Sequence, residues 1–433
     1  MYFCRIGALC VLGTLALPAS AVASPCGQAS DNYLAVQVRH EAPLTLLDTL
    51  TRVRSAGPNI RRAALEGRAL TAEADQAGRH INPVFSAEVE NFAGGGNLSG
   101  FGQSEITVAV EQTFRLGGKR GLGETAARAR ATLASAQCSV ILRKSELQAA
   151  QLYYALSGSI ELAALAEETA GVADELAETV SQRVQAGAAA PPELARARAD
   201  AASLRASAQQ AQGNIRVRAL ELAFMWGAGS VDFILPNPKA GPVDFLTSPR
   251  PMRSKEHPLL AAAKAGEMAA DAETRLAKSY AVPDLTVSGG FRRFQDSGDH
   301  AFVAGVSVPF PLFDKNKDGA KAARLRADAA RVSLVSTQMR LNGQREALGS
   351  RVQAAKSRLL TLHDDALPAA RQAFDASLEG YRAGKFDLTT TLDARRSLIE
   401  TRRDIILARV ELQTSIMQLR ALTGAAPFAG ETK

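Results

Sequence analysis

The segment Asn82-Pro83-Val84-Phe85-Ser86-Ala87-Glu88-Val89-Glu90 decides how this 433-residue chain folds. Phe85, Ala87 and Val89 alternate with Ser86, Glu88 and Glu90, the two-residue period of a strand with one apolar and one polar face. The segment also has an echo. Val282-Pro283-Asp284-Leu285-Thr286 carries the same proline before a strand-like run, 200 residues further on.

Working outward from these two points, the rest of the chain falls into register with itself. Pro58-Asn59-Ile60 parallels Pro258-Leu259-Leu260, and Phe114-Arg115-Leu116 parallels Phe310-Pro311-Leu312. Ala126 to Ala131 parallels Ala322 to Ala327, Gln185-Ala186-Gly187 parallels Arg382-Ala383-Gly384, and Gly227 parallels Gly424. The offset stays between 196 and 200, so the chain is a duplication almost without gaps. Each half reads as a helix, two strands, a very long helix, a tight turn and a shorter helix.

The strands are expected over about 82–92, 105–116, 283–294 and 301–313. Ile106, Val108 and Val110 alternate with Thr107, Ala109 and Glu111, and Leu285 and Val287 with Thr286 and Ser288. The stretches 93–100 and 295–300 have the Gly, Ser, Asn and Asp content of hairpin connections. Strands of about ten residues with one apolar face suit a membrane β-barrel, although a soluble antiparallel sheet has the same alternation. Four strands cannot close a barrel, and an open edge in lipid leaves backbone groups unsatisfied. If the strands span a membrane, several chains must pool them; three chains give twelve strands.

From Gly121 to Gly187 there is no proline, so a helix there reaches roughly 100 Å at 1.5 Å per residue. Its counterpart, Gly319 to Gly384, is interrupted once, at Pro368, and Gly171 occupies the equivalent place in the first half. A shared bend is expected there. Ala149, Ala150, Ala155, Ala163 and Ala164 make the apolar stripe small, which lets helices pack closely. Charge on all the helices suits the wall of a hollow cylinder better than one dry core.

Arg5, the apolar run Ile6 to Leu17 and Ala21-Val22-Ala23 have the layout of an export signal, and that run is too short to span a bilayer. Cys26 and Cys138 remain in the exported chain. They are candidates for a disulfide in an oxidising compartment, with two separate thiols as the plain alternative. Ser24-Pro25-Cys26 lacks the small residue expected just before a lipidated cysteine.

The 51 basic and 44 acidic residues give a net charge of +7, but they are interleaved along helices without a long single-sign run. That pattern argues for ion-paired helix surfaces and against a nucleic-acid partner. Asp314-Lys315-Asn316-Lys317-Asp318-Gly319 starts like a calcium loop, yet its twelfth position is Leu325, not an acid. Gly117-Gly118-Lys119-Arg120-Gly121 has the wrong spacing for a phosphate loop. The five histidines, His363-Asp364-Asp365 included, have no paired ligand spacing, and no nucleophile elbow is present. No enzyme, metal site or cofactor is expected.

Taken together, the residues resemble the TolC-like outer-membrane efflux proteins, nearest the cobalt–zinc–cadmium resistance subgroup. The resemblance spans about 44–424. It is carried by Asn82-Pro83, Glu90-Asn91-Phe92, Glu111-Gln112-Thr113-Phe114 with Leu116-Gly117-Gly118-Lys119-Arg120, and Pro311-Leu312-Phe313-Asp314-Lys315-Asn316. Leu367-Pro368-Ala369, Gly380 to Lys385 and Leu392-Asp393-Ala394-Arg395 complete it. The resemblance implies a mainly α chain with a small β part. It also implies a homotrimer with a twelve-stranded outer-membrane β-barrel, in contact with lipid, above a long periplasmic α-helical barrel. The implied partners are a periplasmic adaptor and an inner-membrane proton-driven pump.

The two helix–turn–helix corners would then be the periplasmic tip. Gly187 and Gly384 suit helix C-terminal positions, while Pro191-Pro192 and Asp387 suit the start of the next helix. By resemblance, Tyr381 and Asp393 match an aperture-closing tyrosine and carboxylate, and Glu193 an acidic position. The family's arginine position is Phe386 here, beside Lys385, and another carboxylate position is Thr390. The aperture candidates are Tyr381, Asp393, Glu193, Lys385 and Asp387; the adaptor-docking candidates are Gly187, Ala188, Gly384 and Lys385. Asp393 and Glu193 could instead be solvated helix-start acids favoured by the dipole.

The expected organisation is a signal peptide over 1–23, an N-terminal segment over 24–57 and a first repeat over 58–227. A linker over 228–257, a second repeat over 258–424 and a tail over 425–433 follow. The expected function is an outer-membrane exit channel of a tripartite pump exporting divalent heavy metals. The alternatives are a duct for drugs or secreted polypeptides, and a periplasmic coiled-coil scaffold without a barrel.

Overall fold

A computed structural model describes residue 26 and residues 42–237 and 257–423. The expected signal peptide, most of the expected linker and the C-terminal tail lie outside the described residues. A short helix α1 (Leu46–Ala56) leads into α2 (Pro58–Ala77), β1 (Val84–Glu90), β2 (Glu105–Phe114), α3 (Lys119–Gln185) and α4 (Pro191–Ala223). The second half repeats the order with α5 (Pro258–Ser279), β3 (Leu285–Phe294), β4 (His300–Ser307), α6 (Lys317–Thr361), α7 (Leu367–Arg382) and α8 (Leu388–Thr423).

The four strands form one antiparallel sheet in the order β1-β2-β3-β4, so the two hairpins join through β2 and β3. The register sorts the side chains. Phe85, Ala87 and Val89 pair with Val110, Val108 and Ile106; Val108 pairs with Phe291, and Phe291 with Phe302. This apolar face is exposed, most of all at Phe302, Val306 and Phe85. The opposite face carries Arg292, which reaches Glu105 at 2.8 Å and Glu90 at 3.2 Å and donates to the Thr107 hydroxyl at 2.9 Å. β1 and β4 each have one edge unpaired within the chain.

The strands are shorter than the alternation suggests. β4 stops at Ser307 instead of running to Phe313, because Pro309 and Pro311 have no N–H to donate to a ladder. β2 ends at Phe114, before Gly117 and Gly118 turn the chain through positive φ into α3. β1 begins after Pro83 and ends before Asn91, which has φ +56°.

The remaining regular structure among the described residues is almost all helix, arranged four across. Near the sheet, α3 lies between α2 and α5, and α5 packs on α6. Towards the far end α4 takes the place of α2 beside α3, and α8 takes the place of α5 between α3 and α6–α7. The 67-residue α3 therefore runs the length of the molecule, while its neighbours are two shorter helices each.

The expected bend is present in one half only. Five residues, Leu362–Ala366, form a π turn between α6 and α7. Pro368 explains it: its ring crowds the carbonyl of Asp364, four residues back, and it has no N–H to offer. α3 continues unbroken through Gly171, whose N–H keeps the helical ladder intact.

The main apolar cluster lies midway along the wall, where Leu44, Leu50 and Val53 meet Leu156, Leu222, Trp226 and Leu412. A disulfide joins Cys26 to Cys138 on α3, burying both beside Ala63 and Ala64 of α2.

Candidate functional site

The far end of the helices, where α3 turns into α4 and α7 into α8, gathers the residues singled out above. Both corners are built by the same local rule. Gly187 and Gly384 have φ of +72° and +71°, a conformation that costs a β-carbon-bearing residue. Ala188 N–H donates to the Arg183 carbonyl and Lys385 N–H to the Gly380 carbonyl, both at 2.8 Å, closing each helix with a six-residue loop. Ala188 and Lys385 are exposed beside these glycines.

The next helices are capped in different ways. Pro191 and Pro192 open α4, and the Glu193 carboxylate accepts from the Ala190 N–H at 3.2 Å. Asp387 accepts from the N–H of Thr390 at 2.9 Å and from its hydroxyl. These hydrogen bonds hold the Asp387 carboxyl below the ordinary carboxylate range.

Tyr381 is buried among Leu176, Val180, Ala197, Leu388 and Leu392. Its ring lies under the Arg183 guanidinium, 4.6 Å from carbon to ring centroid. Its hydroxyl donates to Glu193 at 3.4 Å. Burial, and then the Glu193 charge, push the Tyr381 phenol above its usual range. Arg183 also donates to the carbonyls of Tyr381, Arg382 and Ala188, so one side chain from the first hairpin clamps the end of α7. Phe386 lays its ring over Gly380, where a β-carbon would collide with it.

Glu193 therefore caps α4 and also touches Tyr381. Asp393 stands apart from that contact. It is exposed and pairs only loosely with Arg396, at 3.8 Å on its own helix. Lys385 points its side chain to solvent and makes no ion pair among the described residues.

The sequence reading missed a ladder of ion pairs along the wall. Arg402 and Arg409 on α8 face Glu168 and Glu161 on α3. Arg402 makes two parallel bonds of 2.7 Å to Glu168, and Arg409 one of 2.7 Å to Glu161. Further towards the corner, Arg395 pairs with Asp200 of α4. On the other side of α8, Arg358 of α6 reaches Glu411 at 3.3 Å. The seven-residue spacing of Arg395, Arg402 and Arg409 was a readable signal, since it places all three on one helix face.

No group of three or more His, Cys, Asp or Glu side chains converges on a metal-sized site among the described residues. His363, at the π turn, contacts its neighbour Asp364 at 2.8 Å. No helix among the described residues is long and apolar enough to cross a membrane. The arrangement offers walls, corners and an apolar sheet face.

Comparison with known proteins gives this geometry its context. The chain is 29% identical over 365 residues to the cobalt-zinc-cadmium resistance protein CzcC of Cupriavidus metallidurans, covering 83% of this chain and 85% of that one. It is 26% identical over 319 residues to the nickel-cobalt-cadmium resistance protein NccC of Alcaligenes xylosoxydans xylosoxydans, covering 74% and 72%. The fold matches the crystal structure of the outer membrane protein VceC from Vibrio cholerae, with a TM-score of 0.71 at 20% identity over 88% of this chain and 96% of that one. Residues 50–228 and 253–425, one stretch from each half of the duplication, match the outer membrane efflux protein family. The sheet with its exposed apolar face, the four-helix wall and the paired corners are thus those of an outer-membrane protein with a periplasmic helical portion, and the chain belongs to the outer membrane efflux protein family.

Proposed function

We propose that the chain is the exit duct of a tripartite efflux system that exports divalent heavy-metal cations. The observation that carries the duct is the four-stranded sheet with one exposed apolar face and two unpaired edges. In lipid every backbone group needs a partner, so β1 and β4 must meet the sheets of neighbouring chains. Three copies give twelve strands, and beneath them three four-helix walls enclose a tunnel. The metal assignment rests on the resistance proteins that the chain resembles along most of its length.

The corners carry the rest of the proposal. Tyr381, Glu193, Asp393, Lys385 and Asp387 border the periplasmic aperture, with Tyr381 and Glu193 joining the two hairpins. Gly187, Ala188, Gly384 and Lys385 form the tips on which a periplasmic adaptor docks, and that adaptor connects to an inner-membrane pump. The duct supplies a path and no chemistry; selectivity resides in the pump. The repeat boundaries at 58–227 and 258–424 divide each wall into two equivalent units.

Deletion of the gene tests the substrate. Loss of cobalt, zinc, cadmium or nickel tolerance is expected, restored by the gene in trans. Unchanged metal tolerance with raised drug sensitivity would overturn the metal assignment. A protein recovered fully soluble, with no trimer in detergent, would overturn the duct itself.

A further inference from the structure

Arg395 is buried, with 4% of its surface exposed. In this structure it pairs with Asp200 on α4. Its Nε and Nη1 have no hydrogen-bond partner among the described residues. Buried charged donors left unmatched are costly, so the pairing with Asp200 does not satisfy this guanidinium.

The ladder between α3 and α8 supplies the other acid. The helices are antiparallel: seven residues down α3, from Glu161 to Glu168, match seven residues down α8, from Arg409 to Arg402. One more step of seven along each helix falls on Glu175 and on Arg395, so the heptad register predicts that they face each other. Glu175 is exposed and makes no ion pair among the described residues. The third rung thus has both of its residues in register and is unformed, because its arginine is held by α4.

We propose that Arg395 is a two-position latch, paired with Asp200 when α4 is drawn against α8 and with Glu175 when α4 is released. Asp200 lies seven residues above Glu193 on α4, so the two acids share one face of that helix. Glu193 holds Tyr381 at the corner, and Asp200 holds Arg395 two turns above it. Arg196 of α4 also donates to the Thr389 hydroxyl of α8 at 3.0 Å, so freeing α4 from α7 and α8 requires all three contacts to yield. The exchange keeps Arg395 paired throughout, because α3 takes over the charge that α4 gives up. Arg395 is a positioning residue: it touches no cargo and acts through α4. This inference rests on the reading of the corners as an aperture.

The test uses the full-length protein reconstituted as a trimer in planar bilayers. Asp200→Asn, which keeps the shape of the side chain, should lengthen the time spent in high-conductance states by roughly tenfold. Glu175→Gln should shorten it, and the double variant should lie between them. Glu193→Gln serves as the control for the aperture. If it raises conductance and Asp200→Asn does not, the latch is wrong and the aperture stands; if neither changes conductance, the aperture reading fails. Thermal unfolding of the detergent-solubilised trimer reads the latch independently of conductance. Glu175→Gln should lower the unfolding temperature in the Asp200→Asn background and leave it unchanged in the wild type. Equal effects in both backgrounds would overturn the exchange.

Discussion

The guanidinium of Arg183, on the last turn of α3, covers the ring of Tyr381, on the last turn of α7. Arg183 lies four residues before Gly187 and Tyr381 three before Gly384, so the duplicated halves meet near their corners through an arginine on one side and a tyrosine on the other. A cation over a desolvated ring is worth roughly 2 kcal/mol, and the hydrogen bonds to three carbonyls add to it.

Replacing Arg183 by Ala should therefore loosen the second corner before it affects the wall. Phe386 is half exposed beside that corner. Chymotrypsin should cleave after Phe386 faster in Arg183→Ala than in the wild type, by about tenfold for a loss of about 1.4 kcal/mol in local stability. Arg183→Lys should resemble Ala, since an ammonium has no planar fork to stack and donate at once. Equal cleavage rates in all three proteins would show that Arg183 does not hold the corner.

The Glu168–Arg402 pair predicts a pH dependence. Hydrogen bonds from Arg402 hold the Glu168 carboxyl below its ordinary value of 4.5, with the charge of Arg402 acting in the same direction. A carboxyl whose folded pKa is depressed stabilises the fold above its unfolded pKa and loses that contribution as pH falls through the folded value. The wild-type protein should therefore lose thermal stability more steeply than Glu168→Gln as pH is lowered from about 5 to 3. Both residues are partly exposed, so the difference should also shrink in high salt. Parallel acid limbs for the two proteins would remove Glu168 from this role.

Much of the architecture was legible because it is written in features with fixed periods. The alternation around Phe85 and Val108 named the sheet faces, and the duplication set the order of elements. The corners were legible because a positive-φ glycine and a helix-start proline leave clear marks. The strand ends were not, since apolar character continues past Ser307 to Phe313 while prolines have already removed the ladder. Nor was the asymmetry at Gly171 and Pro368: both residues weaken a helix, but only proline lacks the N–H. The pairing of Tyr381 with Arg183 needed three dimensions, because nearly two hundred residues separate them.

Gly158 offers a measurement of how tightly α3 and α8 cross. A β-carbon there would lie 2.6 Å from the Val410 Cγ2 methyl. Valine in a helix has one strongly preferred rotamer, so it cannot swing aside cheaply. Gly158→Ala should destabilise the protein by about 1–3 kcal/mol from overpacking, against a gain of roughly 1 kcal/mol in helix propensity. Adding Val410→Ala should remove the collision. The double variant should be more stable than the sum of the single variants predicts, as a double-mutant cycle by chemical denaturation would show. Simple additivity would mean that the helices separate locally without strain.

His257 predicts a second pH dependence, in a different window and at a different place. It caps α5, its Nδ1 accepting from the Leu259 N–H at 3.1 Å, and it contacts the Ala421 backbone near the end of α8. It thus joins the two helices that share one lane of the wall. Arg143 and Lys144 of α3 and Arg351 of α6 line the cavity beside it. Burial lowers the His257 pKa from 6.5, the Ala421 contact opposes this, and the Arg143 charge lowers it further. With the folded pKa below the unfolded one, the unfolded chain takes up the proton first as pH falls. Native stability is then complete above about pH 6.5 and declines below it, until the folded histidine also titrates. Protonation would also remove the lone pair that caps α5. Asn at this position keeps a capping oxygen and cannot titrate. His257→Asn should accordingly match the wild type in unfolding temperature near pH 7.5 and exceed it near pH 5.5, with the trimer intact in both. If the wild type and His257→Asn lose stability in parallel between those pH values, His257 is only a cap.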